Sequence, residues 1–486
     1  MTERKKDITH LFDGVTARWP KGAKKLTVTG IEYDSRKVKA GTLFVAVPGF
    51  KADGHDFVDM ARQKGAVAAV VERKLAGVDL PQIVVPDART TLAKLAYNFY
   101  LPEIARIKLV GITGTNGKTT SALLMQSVIE AGGQRCGLIG TIAYEFGGKQ
   151  VPAWNTTPEA PDICRMLFEM SQKDYAYCVL EVSSHGLALK RVEGLSFAAG
   201  LFTNLSRDHL DFHRSEEEYF NAKAHLFDLL AKDGRAAVNI DDPYGQKLAD
   251  RLGESAVTFG LSSRARVTAT RWETRIDGVE LEITTGRETW TVASALTGFF
   301  NIYNILGVAA TAAALGLPGS AVQKGIAAVK TVPGRLEMIP LNNGARVFID
   351  YAHTPDALQK ALQTLRGVAE GRLIVLFGAG GDRDRGKRPL MGKVAVELAD
   401  EVFVTSDNPR SEDPDAIIAD IVNGLNEHTN WRKITDRRQA IHQAVRSLQS
   451  GDVLLIAGKG HETYQEINGV KHPFDERQMV REAIND

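Results

Sequence analysis

The sequence predicts an α/β protein of parallel sheets, arranged as three consecutive domains. Three observations lead there. Strand-like and helical segments alternate from about residue 106 onward, the pattern of βαβ units. A Gly-rich turn, GITGTNGKTT at Gly111 to Thr120, joins an apolar strand directly to a helix. After residue 337, four strands (ARVFIDY, RLIVLFG, EVFVTSD and DVLLIAG) each run into a polar loop. With 486 residues the chain can hold about three separate cores. The boundaries are expected at 1–105, 106–336 and 337–486.

Composition narrows the function classes. The net charge of +1 offers no global attraction to nucleic acid or an anionic membrane, and aromatics make up only 7%. Cys136, Cys164 and Cys178 have neither zinc-site nor disulfide spacing and read as core residues of a reducing compartment. The N-terminus lacks the apolar run of a signal peptide. The segment ILGVAATAAALGL, Ile305 to Leu317, falls short of the roughly 18 residues a membrane span needs. It reads as a buried helix. A cytoplasmic protein with no membrane span is expected.

In the first domain, TLFVAV and AVAAVV read as strands and TTLAKLAYNFY as a helix, before the break LPEIA. The strand IKLVGIT then enters the Gly-rich loop, whose spacing is unusual. Counting back from Gly117 and Lys118, the usual phosphate-loop pattern would put its first glycine at Ile112. Glycine stands instead at Gly111 and Gly114. The context still suits phosphate, because backbone N–H groups from Gly114 to Lys118 would face it at the N-terminus of the helix SALLMQSVIEAGG. Lys118 would reach the terminal phosphates and the Thr119 hydroxyl would bind Mg²⁺. Glu181 ends the next strand, YAYCVLE, where a carboxylate is well placed for magnesium. A third strand, AAGLFTN, opens into LSRDHLDFH, with Asp208, His209, Asp211 and His213 close together. That density points to metal, phosphate or proton chemistry, or to a solvated loop.

The next segment, SEEEYFNAKAHLFDLLAKDG, predicts a helix with Ser215 as N-cap and three glutamates in its first turn. Helical spacing puts Tyr219, Lys223, Leu226, Phe227 and Leu230 on one face. A lysine in an apolar stripe has its pKa lowered by desolvation. It is left to pair with a carboxylate, turn reactive, or extend its ammonium to solvent. Between about 256 and 292, VELEITT and ETWTVAS alternate apolar and polar residues, as an antiparallel hairpin does. In the third domain, the loops DYAHTPDA, GAGGDRDRGKR, SDNPRSEDP and GKGHETY should share one rim, because parallel strands deliver their carboxyl ends to the same edge.

These motifs, in this order, resemble those of the Mur ligase family, the ATP-dependent amide-forming enzymes of peptidoglycan precursor synthesis. GTNGKTT, EVSSHG, TNLSRDHLDFH, NAKAHLF, GVAAT, PGRLE, DYAHTP, SDNPRSEDP and GKGHE carry the resemblance across essentially the whole chain. It implies an N-terminal uridine-nucleotide-binding domain, a central P-loop ATPase domain with a small antiparallel sheet, and a Rossmann-like C-terminal domain. It also implies ATP and Mg²⁺ as cofactors and a phosphate loop formed by Gly114, Thr115, Asn116, Gly117, Lys118, Thr119 and Thr120. Asn301, Asn304, Arg335 and Asp350 would lie near adenine, phosphate and ribose. Glu181 and His209 would hold magnesium, and Lys223 would be carbamylated to an N6-carboxylysine that positions a magnesium ion. Ser35 and Arg36 of YDSRKVKAGTLFVAVPG would contact uridine, near Asp53 to Phe57. Asn155, Thr156, Thr157, Ser183 and Arg191 would contact the muramoyl-dipeptide.

DNPR resembles the branch of the family that adds meso-diaminopimelate to UDP-MurNAc-L-Ala-D-Glu. The implied amino-acid site comprises Arg383, Asp407, Asn408, Pro409, Arg410, Gly458 and Glu462. Arg410 would take the distal carboxylate by a two-pronged pair, and Asn408 with Glu462 the distal ammonium. A monomer is expected. The alternatives are the same reaction with L-lysine, a sister ligase such as folylpolyglutamate or cyanophycin synthetase, and a nucleotide-dependent switch.

Overall fold

Four short parallel strands, Gly30–Glu32, Thr42–Val45, Ala68–Val71 and Gln82–Val84, make the first sheet in sequence order. Helix Ala88–Tyr100 packs on it, started by the Asp87 carboxylate, which accepts from the N–H groups of Arg89 and Thr90. In this computed structural model residues 4–50, 52–206, 208–209, 212–425 and 427–485 are described. Asp211 lies outside them. The chain divides into two compact units: Met1–Ala269 with Ile283–Trp290 and Tyr303–Gly325, and Thr270–Glu282 with Thr291–Ile302 and Ile326–Asp486.

The first unit also contains the central sheet. Its parallel core runs, in spatial order, Cys136–Ile139, Tyr177–Glu181, Lys108–Thr113, Phe197–Phe202, Leu230–Asn239 and Ala256–Gly260. Ala143–Phe146 and Lys149–Pro152 add antiparallel strands at one edge. Tyr177–Glu181 is buried throughout, and Lys108–Thr113 beyond its first residue, as expected of strands covered on both faces. The three cysteines are buried and unpaired by disulfides. Val267–Arg275, Gly278–Thr284 and Thr289–Ser294, whose residues are divided between the two units, follow in the chain, and the last two are joined by a turn closed from Thr285 N to Glu288 O at 3.0 Å.

One helix is shorter than its sequence suggests. Ser215 caps Glu216–Asp228 by accepting from Glu218 N, as expected, and Tyr219, Lys223, Leu226 and Phe227 are buried. The helix stops there, and Leu230 begins a ten-residue strand paired with Phe197. Phe197 N donates to Leu229 O at 2.9 Å. Sheet pairing, a contact with residues some thirty positions away, overrides the helical propensity of LLAK.

In the second unit the sheet order is Glu337–Pro340, Arg346–Asp350, Val453–Ala457, Leu373–Phe377, Glu401–Val404 and Trp431–Lys433. Only the first pairing is antiparallel. Leu373, Val375 and Phe377 enter the core on one face, and Ile374 and Leu376 the core on the other, the period-two signature of a sheet with helices on both sides. All four charged loops therefore emerge from carboxyl ends of parallel strands. A hairpin of Tyr464–Ile467 with Val470–Pro473 was not anticipated. Its strands are polar and largely exposed, so they lack the apolar alternation that marks strands in a sequence. No helix among the described residues is long and apolar enough to cross a membrane.

Candidate active site

The Gly-rich loop lies between the end of Lys108–Thr113 and helix Lys118–Ala131. Gly117, with φ +84°, sits at the helix N-cap, where a Cβ would overlap the Asn304 side-chain oxygen. Gly114 has φ +145°, and a Cβ there would overlap the Thr203 hydroxyl. Only glycine accommodates both the angles and the close approaches. The loop is clamped by the strand end Thr203–Asn204. Thr115 N donates to Asn204 O at 2.8 Å, Asn116 N to Asn204 Oδ1 at 3.0 Å, and Thr203 Oγ1 to Asn116 O at 2.6 Å. Thr119 and Thr120 are buried in the first helical turn, and Ser121 Oγ lies 3.5 Å from Asn304 Oδ1.

Lys118 Nζ donates to Gly114 O and Thr115 O, both at 2.8 Å, and Lys223 Nζ donates to the same Gly114 carbonyl at 2.8 Å. Two amines thus meet at one loop carbonyl. Lys223 is 1% exposed. Burial, reinforced by the neighbouring Lys118 charge and only opposed by Asp208, pushes its pKa well below the usual lysine range. Among the described residues its amine makes no ion pair within 4 Å, and it does not reach solvent. Its Nζ lies 4.4 Å from the Tyr219 ring centroid, and the Tyr219 hydroxyl lies 3.1 Å from Thr115 Oγ1. His209, with φ +52°, stacks edge-on near His185 at 4.9 Å and lies 6.1 Å from Tyr219. His213 is buried beside Tyr219, 5.0 Å between ring centroids.

Glu181 joins this loop to the NTTPEA segment. Its carboxylate, 1% exposed, accepts from Thr119 Oγ1 at 2.9 Å, Thr141 N at 2.8 Å and Thr141 Oγ1 at 3.0 Å. Thr141 Oγ1 in turn lies 3.1 Å from Thr156 Oγ1. The Glu181 carbonyl accepts from Thr157 Oγ1 at 2.8 Å, and Ser183 N donates to the same hydroxyl at 2.9 Å. Asn155 is held through its backbone by the Tyr144 hydroxyl. Arg191 donates to Thr157 O at 2.8 Å and pairs with Glu159 at 2.8 Å. Arg89 of the N-terminal sheet's helix reaches Glu159 at 4.0 Å and donates to Pro48 O at 3.2 Å. Ser35 is buried with its hydroxyl 3.3 Å from Met60 Sδ, while Arg36 is exposed and paired with Asp34. Thr141, Thr203, Tyr219, His185 and Glu159 were not singled out as site residues. Tyr219 stood four residues before Lys223 on the same helical face, which was the available signal.

In the second unit the rim is built from buried charge. Asp350 accepts from Leu336 N at 2.7 Å, and burial raises its pKa against the pull of Arg335, whose guanidinium lies 5.2 Å from the Tyr351 ring. Asn301 donates to Thr297 O at 2.7 Å. Asp407 is buried. Burial alone would raise its pKa, but Lys459 and Arg437 hold it below the usual carboxylate range. Gly458 donates its N–H to Asp350 O at 3.0 Å, and a Cβ there would overlap the Asp407 carboxylate. Arg410 has φ +52° and is clasped by the polar hairpin: Arg410 N donates to Glu466 O at 3.0 Å and Asn468 N to Arg410 O at 2.7 Å. Its guanidinium donates to Gly381 O at 2.7 Å and lies 3.4 Å from Glu466. Buried Arg388 ties the two arginine-bearing loops together, donating to Glu412 at 2.7 and 2.9 Å and to Asp420 at 2.9 Å. That pairing lowers the Glu412 pKa to about 2. Glu412 accepts from Asp382 N, next to Arg383, at 2.6 Å. The Pro409 carbonyl accepts from Glu412 N at 3.0 Å.

Asn408, expected with Glu462 at a substrate ammonium, has a side-chain oxygen that accepts from Lys459 Nζ and Glu466 N, both at 2.9 Å, and its Nδ2 donates to Glu462 at 2.8 Å. An amide so engaged offers donors, not an acceptor.

Known proteins share this architecture. Residues 112–312 match the Mur ligase middle domain, 334–460 the Mur ligase glutamate ligase domain, and 27–100 the Mur ligase family catalytic domain. The chain is 44% identical to the UDP-N-acetylmuramoyl-L-alanyl-D-glutamate–2,6-diaminopimelate ligase of Geobacter metallireducens, covering 96% of each chain. It is 41% identical to the protein of the same name from Clostridium botulinum, covering 95% of this chain and 96% of that one. A solved structure bearing that name is 34% identical, with a TM-score of 0.68 over 94% of this chain and 95% of the other. MurF ligase from Thermotoga maritima, solved with ADP, shares the fold at 21% identity and a TM-score of 0.65, over 94% and 96% of the two chains. With a clamped glycine loop in one unit, a charged rim in the other, and relatives of this identity over nearly its whole length, the chain belongs to the Mur ligase family.

Proposed function

We propose that this protein uses ATP to join meso-diaminopimelate to the D-glutamyl carboxylate of UDP-MurNAc-L-Ala-D-Glu, as a monomeric cytoplasmic enzyme of peptidoglycan precursor synthesis. The observation that carries the reading is Glu181. One buried carboxylate-bearing residue is bonded both to the phosphate-loop Thr119 and, through Thr141 and its own carbonyl, to Thr156 and Thr157. A phosphate donor and a carboxylate acceptor held by these two loops would be addressed by a single connected network, which suits direct phosphoryl transfer between them. The names of the close relatives point to the same substrates.

The residues present fit both ATP and magnesium. The loop offers backbone N–H groups at a 14-residue helix's N-terminus and two glycines whose Cβ positions are already filled by neighbours. Thr119 and Glu181 supply the hard oxygen ligands magnesium takes, with the remainder from phosphate and water. Bound there with His209 nearby, magnesium would neutralise charge on the transferring phosphoryl group.

The chain's own groups then have separate tasks. Gly114 to Lys118 cradle the phosphates, and Lys118 swings its ammonium from the loop carbonyls to the transferring phosphate. Asn301, Asn304, Arg335 and Asp350 hold the rest of the nucleotide. Ser35 faces the uridine, and Asn155, Thr156, Thr157, Ser183 and Arg191 orient the muramoyl-dipeptide. The D-glutamyl carboxylate attacks the γ-phosphorus and ADP departs. The amine of diaminopimelate then attacks the acyl phosphate carbonyl, loses a proton, and expels phosphate. Lys223, whose amine pKa is lowered by burial, can in its neutral form add carbon dioxide at Nζ with loss of a proton. The resulting carbamate places an anion where the unmodified side chain has an amine. On the rim, Arg383 and Arg410 take carboxylates, Glu462 takes the distal ammonium, and Asp407, Pro409 and Gly458 shape the pocket.

Two measurements test this. Phosphate release from Mg-ATP and UDP-MurNAc-L-Ala-D-Glu is expected to be far faster with meso-diaminopimelate than with L-lysine; release with neither amine removes the assignment. Gly117→Ala places a methyl at φ +84° against Asn304. It is expected to raise the KM for ATP about five- to hundredfold, from roughly 1–3 kcal/mol of strain, with the KM for the amine unmoved.

A further inference from the structure

Lys459 is the first residue of the last rim loop to follow Gly458, and its side chain is wholly buried. No task in the proposed chemistry uses it. Its surroundings give it one. Lys459 Nζ lies 2.9 Å from Asn408 Oδ1 and 3.3 Å from Glu462 Oε2. It also sits 5.7 Å from the Tyr464 ring centroid and beside the buried Asp407 carboxylate.

The orientation of the Asn408 amide follows from what its neighbours are able to do. An ammonium has three donors and no acceptor, and a backbone N–H is a donor only. Lys459 Nζ and Glu466 N both face the same Asn408 atom, at 2.9 Å each. That atom must be the oxygen. The amide nitrogen is then turned to Glu462, an acceptor when ionised, at 2.8 Å. Two independent donors and one acceptor agree on a single flip state. With one Nδ2 hydrogen on Glu462, the other is what Asn408 can offer a ligand.

We propose that Lys459 is a positioning residue for amino-acid selection. It pins the Asn408 amide with its N–H outward, so that Asn408 donates to the distal carboxylate of the incoming amino acid beside Arg410, while Glu462 alone takes the distal ammonium. This rests on the function proposed above. A substrate with a carboxylate at that end satisfies the outward N–H and the arginine together, and L-lysine satisfies neither. Without Lys459 the oxygen keeps one donor, the Glu466 N–H, and the amide gains freedom to turn its oxygen toward the carboxylate, where two acceptors would oppose each other.

The test is a coupling measurement on the full-length enzyme. Lys459→Met keeps the stem and removes the ammonium. It is expected to raise the KM for meso-diaminopimelate about tenfold, with the KM for ATP unchanged and the preference over L-lysine reduced by the same factor. In an Asn408→Ala background the same change should have no further effect on that KM, because Lys459 acts through the amide. Additive effects in the cycle, or equal losses for ATP and the amine, overturn the proposal in favour of plain charge balance with Asp407. Should Lys459→Met not fold, Asn408→Asp leaves Lys459 in place and replaces the outward donor by an anion. It is expected to lose meso-diaminopimelate turnover by at least an order of magnitude more than L-lysine turnover, and retained preference for meso-diaminopimelate overturns the donor role. Wild-type enzyme releasing phosphate with neither amine fails the proposed function itself. A selective wild type with an additive cycle fails only Lys459.

Discussion

Lys223→Met is expected to lower the rate of amide formation by about 10²–10³-fold, the usual cost of removing one preorganised charged group from a reacting centre. The fold should survive, since the methionine fills the same apolar stripe among Tyr219, Leu226 and Phe227. Bicarbonate supplies a second arm. Wild-type activity should fall in carbon dioxide-depleted buffer and recover on adding bicarbonate, while the variant responds to neither. A variant within a few-fold of wild type would remove Lys223 from the chemistry.

Stability should carry the same signature with a definite sign. The Lys223 amine has a lowered pKa in the folded protein because it is buried and faces Lys118. Between that lowered value and the ordinary lysine value, the unfolded chain binds one more proton than the folded protein. Stability from this site therefore rises with pH across that window, and below the folded pKa the cost of burying the charge is fully present. Lys223→Met removes the cost. Its unfolding temperature should match or exceed that of wild type, with the largest difference at the acid end. An acid-side loss of stability specific to the variant would contradict the burial argument.

Arg410→Lys is the second large effect. The arginine occupies a left-handed backbone position clasped by the hairpin, donates one nitrogen to Gly381 O and lies 3.4 Å from Glu466; in the proposed site the rest of its fork takes the distal carboxylate. Lysine has a single point charge and cannot serve both a carbonyl and a two-pronged carboxylate. The expected loss in kcat/KM for meso-diaminopimelate is about 2–5 kcal/mol, roughly 30-fold or more. L-Lysine, which has no distal carboxylate, should be affected far less. Steady-state kinetics with both amines read this directly, and equal losses would show that Arg410 supports the loop rather than reads the substrate.

Much of this protein was legible before its structure. The parallel α/β class followed from alternating apolar runs, the loop from glycines between a strand and a helix, and the anomalous lysine from a 3.6-residue stripe. Such features are local, set by backbone dihedrals and by side-chain spacing over one or two turns. The rim was also foreseeable, since parallel strands must deliver their loops to one edge.

Tertiary structure decided the rest. Helix Glu216–Asp228 ends where Leu230 pairs with Phe197, and Glu181 gains its second loop through Thr141, forty residues away. Asn408 turns its oxygen to Lys459 and Glu466, more than fifty residues on. Residue types and local geometry were thus determined by the sequence alone. The partner of each buried polar group was not, because a desolvated donor or acceptor takes whichever complement the sheet register brings within hydrogen-bond reach.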